Sequence, residues 1–173
     1  MQWDKFIQQH VTEAALKKYY DDNRDFYDQV TVQVSHILFR LPPNAPQAER
    51  AQARARLAGL RQQILAKQIS FADAAQKYSQ CPSATRGGDI GFIMRKWVVD
   101  EPVAQAAFAL KVGEVSDVIE TEVGLQLLTV TARNPGQPSH FDKIKDLVRE
   151  NLAKEMWDNL VAQQRKVARI EIK

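Results

Sequence analysis

The chain has 173 residues, 45% of them hydrophobic and 26% charged, with 24 Lys and Arg against 21 Asp and Glu for a formal charge of +3. That length accommodates one sizeable core, or a compact domain of about 100 residues plus an accessory lobe, and no run approaches the roughly 18 apolar residues of a membrane span. A single cysteine, Cys81, excludes an intrachain disulfide and a cysteine-pair metal site, and Met1 is not followed by the basic and apolar stretches of a secretory signal.

Trp3, Phe6, Ile7 and Val11 step by three or four, and Thr12 precedes Glu13 as an N-cap would, so two consecutive helices are expected up to Asp28. The pattern opens abruptly at Met1, which suggests that further protein precedes it. From Thr31 to Arg40 the period changes to two, with Val32, Val34, His36 and Leu38 on one face and Gln33, Ser35, Ile37 and Phe39 on the other. Pro42, Pro43 and Pro46 then impose an extended loop, because proline fixes its own φ and disfavours helix before it.

A long helix is expected from Gln47 to Lys67. Its Arg50, Arg54, Arg56, Arg61 and Lys67, with Glu49 as the sole acid, form either a nucleic-acid stripe or a solvated face. The apolar set Leu57, Leu60, Ile64 and Leu65 in the same segment favours the solvated face. Phe71–Tyr78 reads as a short helix capped by Ser70, and Ser79 to Gly88 as a tight loop. A short strand over Gly91–Met94 follows. Pro102 suits an early helical position, with the helix running over Val103–Leu110 and Gly113 as its C-cap.

Two strands, Val115–Glu120 and Leu125–Thr131, complete a central block of α+β character. Residues 134 to 138 form a linker, after which Ser139 and Asp142 suggest a capping box. Phe141, Ile144, Leu147, Val148, Leu152, Met156 and Leu160 then make an apolar stripe on a long helix that needs a partner, most naturally the N-terminal helices. Arg169–Lys173 alternates as a terminal strand would.

No phosphate-binding glycine loop, paired-histidine zinc signature or supported Ser-His-Asp order is present. Of the three histidines, His10 and His140 fall near helix ends or in a linker. His36 sits mid-strand among apolar neighbours, where both ring nitrogens need partners, so something polar must approach it. Cys81, beside Pro82 and ahead of the glycine pair, belongs to a loop that leaves it partly open.

Six blocks resemble, in order and spacing, the signature segments of the parvulins. They are 34–38 (VSHIL), 78–84 (YSQCPSA), 87–91 (GGDIG), 107–110 (AFAL), 112–116 (VGEVS) and 121–125 (TEVGL). The flanks, 11–28 and 141–172, resemble the paired helices of the SurA and PrsA group of extracytoplasmic folding factors. The resemblance implies a parvulin-like four-stranded antiparallel sheet surrounded by helices over residues 31–133. An N-terminal helical segment, 1–30, and a C-terminal segment, 138–173, would make an adjoining lobe.

The implied activity is peptidyl-prolyl cis/trans isomerisation of X-Pro bonds in unfolded or extended polypeptide clients, without cofactor or metal, in a periplasmic or otherwise extracytoplasmic compartment. By the same resemblance His36, Cys81, Gln126 and Thr121 form the polar centre, and Ile90, Met94, Val99 and Val103 wall the proline slot. Cys81 takes a position that the family fills with cysteine or aspartate, so a covalent thiol step is not compelled.

Gln126 replaces a second histidine found in many parvulins, and Val103 replaces a large aromatic. Weak to moderate turnover is therefore expected, with a degenerate chaperone or peptide-binding module as the alternative. Arg40 alone precedes the 41–46 loop, where phosphopeptide-directed members place adjacent basic residues, so phosphate-dependent substrate choice is not expected. Nucleic-acid binding is not expected either, because the basic residues from Arg50 to Lys67 read as a solvated helix face and nothing else in the chain calls for it.

Overall fold

In the computed structural model, which describes residues 2–167, the chain divides into two compact units. One comprises residues 29 to 137; the other joins the segment before Gln29 to the segment after Gln137.

The 29–137 unit is built on a four-stranded antiparallel sheet in the order β2-β1-β4-β3, with β1 Thr31–Arg40, β2 Asp89–Met94, β3 Ile119–Thr121 and β4 Gly124–Asn134. The long central pair β1 and β4 sets the register, with Val34 opposite Val130, His36 opposite Leu128 and Leu38 opposite Gln126. Alternation along β1 then sorts its side chains between two cores. Val32 and Val34 join Val103, Phe108, Leu128 and Val130 on one face, while Ile37 and Phe39 join Leu57, Leu60, Ala74 and Ala75 on the other.

The helices of this unit are α4 Gln47–Leu65, α5 Phe71–Tyr78 and α6 Glu101–Ala109. Ser70 caps α5, its hydroxyl accepting from the Asp73 amide at 3.0 Å. Much of the basic face of α4 is engaged within the unit. Arg50 and Arg54 meet the two Glu120 oxygens at 2.8 and 2.6 Å, and Arg61 donates to the Ser116 carbonyl at 2.7 Å. Gly59 lies exposed in α4, and a Cβ added there meets nothing within 4 Å. Gly59→Ala is expected to raise stability by about 0.5–1 kcal/mol, since glycine in a helix interior costs about that much against alanine; the urea midpoint measures it.

Two local expectations change. α6 ends at Ala109 with Leu110 as C-cap, so Gly113 does not cap it; its left-handed φ of +89° instead turns the chain so that its amide donates to the Val130 carbonyl at 2.8 Å. The strand expected over Val115–Glu120 is reduced to Ile119–Thr121 plus one bridge between Val115 and Thr129. Side chains there replace ladder bonds: Ser116 Oγ accepts from the Leu128 amide at 2.9 Å, and Thr129 donates to the Glu114 carbonyl at 2.9 Å.

The second unit contains α1 Gln2–His10, α2 Glu13–Asp22, α3 Arg24–Tyr27 and α7 Phe141–Val167. Val11, Leu16, Tyr20 and Tyr27 pack against Phe141, Ile144, Val148, Leu152 and Met156, which are the stripe positions of α7. Leu147 departs from that stripe and is 48% exposed.

The capping box at Ser139 does not form. Ser139 turns to the other segment of the unit, donating its hydroxyl and amide to Asp28 Oδ1 at 2.6 and 2.7 Å, while its carbonyl accepts from the Tyr20 hydroxyl at 2.7 Å. Burial alone would raise the Asp28 carboxyl, but these bonds and Arg24 hold it below its ordinary value. The terminal strand expected at Arg169–Lys173 lies outside the described residues.

Candidate active site

His36 lies on the β1 face that carries Val32 and Val34, and it is buried to 9% exposure. Its Nδ1 donates to Gln126 Oε1 at 2.9 Å, and its Nε2 lies 3.0 Å from Ser83 Oγ. Gln126 sits diagonally across on β4, opposite Leu38, so an amide side chain spans the offset to the imidazole. Gln126 Nε2 in turn donates to Thr121 Oγ1 at 3.0 Å, and the Thr121 hydroxyl donates to the Gly124 carbonyl at 3.0 Å across the β3–β4 turn. Three of the four polar residues expected at the centre, His36, Gln126 and Thr121, thus form one continuous chain.

Ser83 was not singled out by sequence reasoning. The signal was present: a buried imidazole needs two partners, Gln126 supplies one, and a hydroxyl stands two residues beyond Cys81. The loop presents that hydroxyl because Cys81 ends extended and Pro82 opens a short 3-10 helix, Pro82–Arg86, in which Ser83 is 4% exposed.

Gly88 closes the loop against the strand, its carbonyl accepting from the His36 amide at 2.9 Å. A Cβ on Gly88 would stand 2.4 Å from the His36 carbonyl oxygen, so the strand and loop meet here only through glycine.

Cys81 is half-buried on the same loop. Its amide lies 3.4 Å from Ser79 Oγ, which also accepts from the Leu38 amide at 3.1 Å, and Gln80 pairs with β1 through Leu38 and Arg40. The loop is therefore fixed to β1, yet the imidazole nitrogens are engaged by Gln126 and Ser83 rather than by the thiol.

Of the expected slot residues, the structure gathers Ile90, Val99 and Val103 around one apolar cluster with Val34, Ile93, Phe108 and Leu128. Val103 is 4% exposed and so is part of the core itself. Met94 does not join them. Ile93 is the inward residue of β2, so its neighbours Phe92 and Met94 are turned away, at 55% and 46% exposure. Among the described residues no group of three His, Cys, Asp or Glu side chains is placed to hold a metal ion.

Burial pushes the His36 pKa below its ordinary value of 6.5, opposed in part by the Gln126 hydrogen bond. The folded protein thus binds this proton less tightly than the unfolded chain. Stability associated with His36 is complete above 6.5 and is lost as the pH falls from there through the lowered folded value. Urea midpoints are expected to fall between pH 7.5 and the acid range, and His36→Asn is expected to flatten that part of the curve.

The profile of the PPIC-type PPIase (rotamase) domain matches residues 36–132. The chain belongs to the PPIC-type peptidyl-prolyl isomerase family. This PPIC-type chain is 38% identical over 143 residues to the chaperone SurA of Cupriavidus metallidurans, covering 80% of the chain and 28% of that protein. It is 31% identical over 168 residues to the foldase protein PrsA of Bacillus subtilis, covering 94% and 50%. The chain therefore spans half or less of the length of these relatives. The crystal structure of PrsA from Bacillus anthracis matches with a TM-score of 0.57 at 25% identity, covering 99% of this chain and 71% of that one.

Proposed function

We propose that the chain catalyses cis/trans isomerisation of X-Pro bonds in unfolded or extended polypeptides, assisting their folding outside the cytoplasm, without requiring a phosphate on the substrate. The observation that carries this is the buried chain Ser83–His36–Gln126–Thr121 on the sheet face that also holds the apolar cluster around Val103. His36, two residues beyond Val34 on one strand, stands at the margin of that cluster.

The reaction requires rotation about a C–N bond whose resonance imposes a barrier of roughly 18–20 kcal/mol. No bond breaks. Ile90 and Val99, half-buried against the cluster that holds Val103, offer an apolar seat for the prolyl ring, and the polar chain beside them supplies fixed dipoles to a twisted amide whose resonance and carbonyl charge have diminished. With Gln126 in place of a histidine and Val103 in place of an aromatic, turnover is expected to be slower than client binding alone would suggest.

Independence from phosphate is supported by the engagement of the nearby cations. Arg40 Nε donates to the Gln80 carbonyl at 3.1 Å, and Arg50 and Arg54 share Glu120. An extracytoplasmic location rests on the flanking helices and on the SurA and PrsA relatives; among the described residues no helix is long and apolar enough to cross a membrane.

The test is acceleration of cis-to-trans exchange in a short X-Pro peptide, against an uncatalysed time of tens to hundreds of seconds. A phosphorylated serine before the proline is expected to give no advantage. Cys81→Asp is expected to retain exchange within about tenfold, a barrier change under about 1.4 kcal/mol, because the thiol is not a member of the imidazole chain. Complete loss in a folded Cys81→Asp protein would return the thiol to the centre of the mechanism.

The second reading, a client-binding module with a degenerate site, is favoured by Gln126 and by exposed Phe92, Met94 and Val98. It predicts no exchange but suppressed aggregation of an unfolded client.

A further inference from the structure

The four hydrogen bonds that run from Ser83 through His36 to Gly124 have a direction, and it is set from the end farthest from the loop. The Gly124 carbonyl has no hydrogen to give, so the hydroxyl proton of Thr121 is committed to it at 3.0 Å. Thr121 Oγ1 can then only accept from Gln126, which must turn its NH2 toward the threonine and its carbonyl oxygen toward His36. That carbonyl also has nothing to donate, so the ring proton of a neutral His36 resides on Nδ1. Burial favours the neutral ring. Nε2 is consequently a bare lone pair, and the Ser83 hydroxyl, 3.0 Å away, is its donor.

We propose that Ser83 is a positioning residue for His36, the outermost donor of a one-way hydrogen-bond chain that fixes the imidazole as its Nδ1–H tautomer with Nε2 occupied. The backbone reinforces this assignment. The Ser83 carbonyl accepts from the Gly88 amide at 2.9 Å, and the Gly88 carbonyl accepts from the His36 amide at 2.9 Å, so the loop that bonds the ring also bonds the main chain that carries it.

Both ends of the ring are therefore held through the Ser83–Gly88 segment and the β3–β4 hairpin. One consequence is chemical: neutral His36 has no N–H to offer a substrate, since Nδ1 is committed to Gln126 and Nε2 carries no proton. The residue contributes a fixed dipole rather than an acid. A second consequence concerns Cys81, two residues upstream, whose placement relative to the imidazole depends on the same anchor.

The catalytic consequence rests on the isomerase reading, but the tautomer does not, so the experiment has two arms. In the wild-type chain at pH 7.5, labelled imidazole nitrogens are expected to show a protonated Nδ1 and an unprotonated, hydrogen-bonded Nε2 for His36. A protonated Nε2 would overturn the proposal outright. In Ser83→Ala, the Nε2 resonance is expected to move to that of an unbonded lone pair, with kcat for X-Pro exchange reduced about tenfold and KM little changed.

An unchanged imidazole spectrum and unchanged kcat in that variant would equally overturn the proposal. Should the wild type show no exchange, the isomerase reading fails, while the nitrogen spectrum still decides the role of Ser83. If Ser83→Ala does not fold, the wild-type spectrum decides it alone: an unprotonated, hydrogen-bonded Nε2 supports the proposal and a protonated one overturns it.

Discussion

Gly124→Ala is expected to lose about 3 kcal/mol or more of folding stability, combining strain at a left-handed φ with overpacking in a filled site. Gly124 has φ +137°, and an added Cβ would stand 2.1 Å from the Phe39 carbonyl oxygen and 2.8 Å from the Leu41 amide nitrogen. Both are backbone atoms of the central strand and its exit, so neither can swing away as a side chain would. Relief requires the β3–β4 hairpin to retreat from β1, which strains the pairing of Arg40 with Gly124 and the bond from the Leu41 amide to the Val123 carbonyl.

The same retreat displaces the carbonyl that accepts from Thr121, so the structural defect is transmitted to His36. Urea denaturation measures the loss. Gly91→Ala is the control: its φ is +81°, yet an added Cβ there meets nothing within 4 Å, so only the conformational penalty of about 1–2 kcal/mol remains. Equal losses in the two variants would show that the close approach at Gly124 contributes nothing.

The elements that sequence periodicity located were those whose burial is regular. β1 could be read from Thr31 to Arg40 because each of its faces enters a different core, and α5 because Ser70 supplies its cap. The segment before β3 was overread as a strand because its composition suits extended chain, whereas Ser116 and Thr129 satisfy the backbone with their side chains, a substitution that alternation does not encode. Ser139 misled for a similar reason. Its spacing to Asp142 suits a helix cap, but Asp28, more than a hundred residues earlier, competes for the hydroxyl, and a partner so distant leaves no local pattern.

At the site, His36, Gln126 and Thr121 were legible through family spacing, but Ser83 needed an inventory of donors and acceptors around the imidazole. Met94 was placed with Ile90, Val99 and Val103 as a wall of the slot through the family resemblance. Strand alternation instead makes Ile93 the inward residue.

His36→Ala is expected to reduce X-Pro exchange to near the uncatalysed rate and to destabilise the fold by about 2–6 kcal/mol, because two buried partners are orphaned at about 1–3 kcal/mol each. Those partners are Gln126 and Ser83, each 4% exposed. Loss of activity in this variant alone would leave catalysis confounded with folding. His36→Gln separates them, since a glutamine at this position carries both an N–H donor for Gln126 Oε1 and a carbonyl acceptor for Ser83, so most of the stability is expected to return.

If the imidazole serves as a fixed dipole, His36→Gln retains measurable exchange; if it transfers protons, the folded variant is inactive. The acid side of the pH profile of kcat/KM bears on the same question. Gln126 does not titrate, so within the chain from Ser83 to Thr121 only His36 changes charge near neutrality, and its burial places that change below the ordinary histidine range. Protonation would put a hydrogen on Nε2 and force the Ser83 hydroxyl to reverse, undoing the one-way order of the chain. Exchange is therefore expected to decline through one acid-side titration in the wild type, and to lose that titration in His36→Gln.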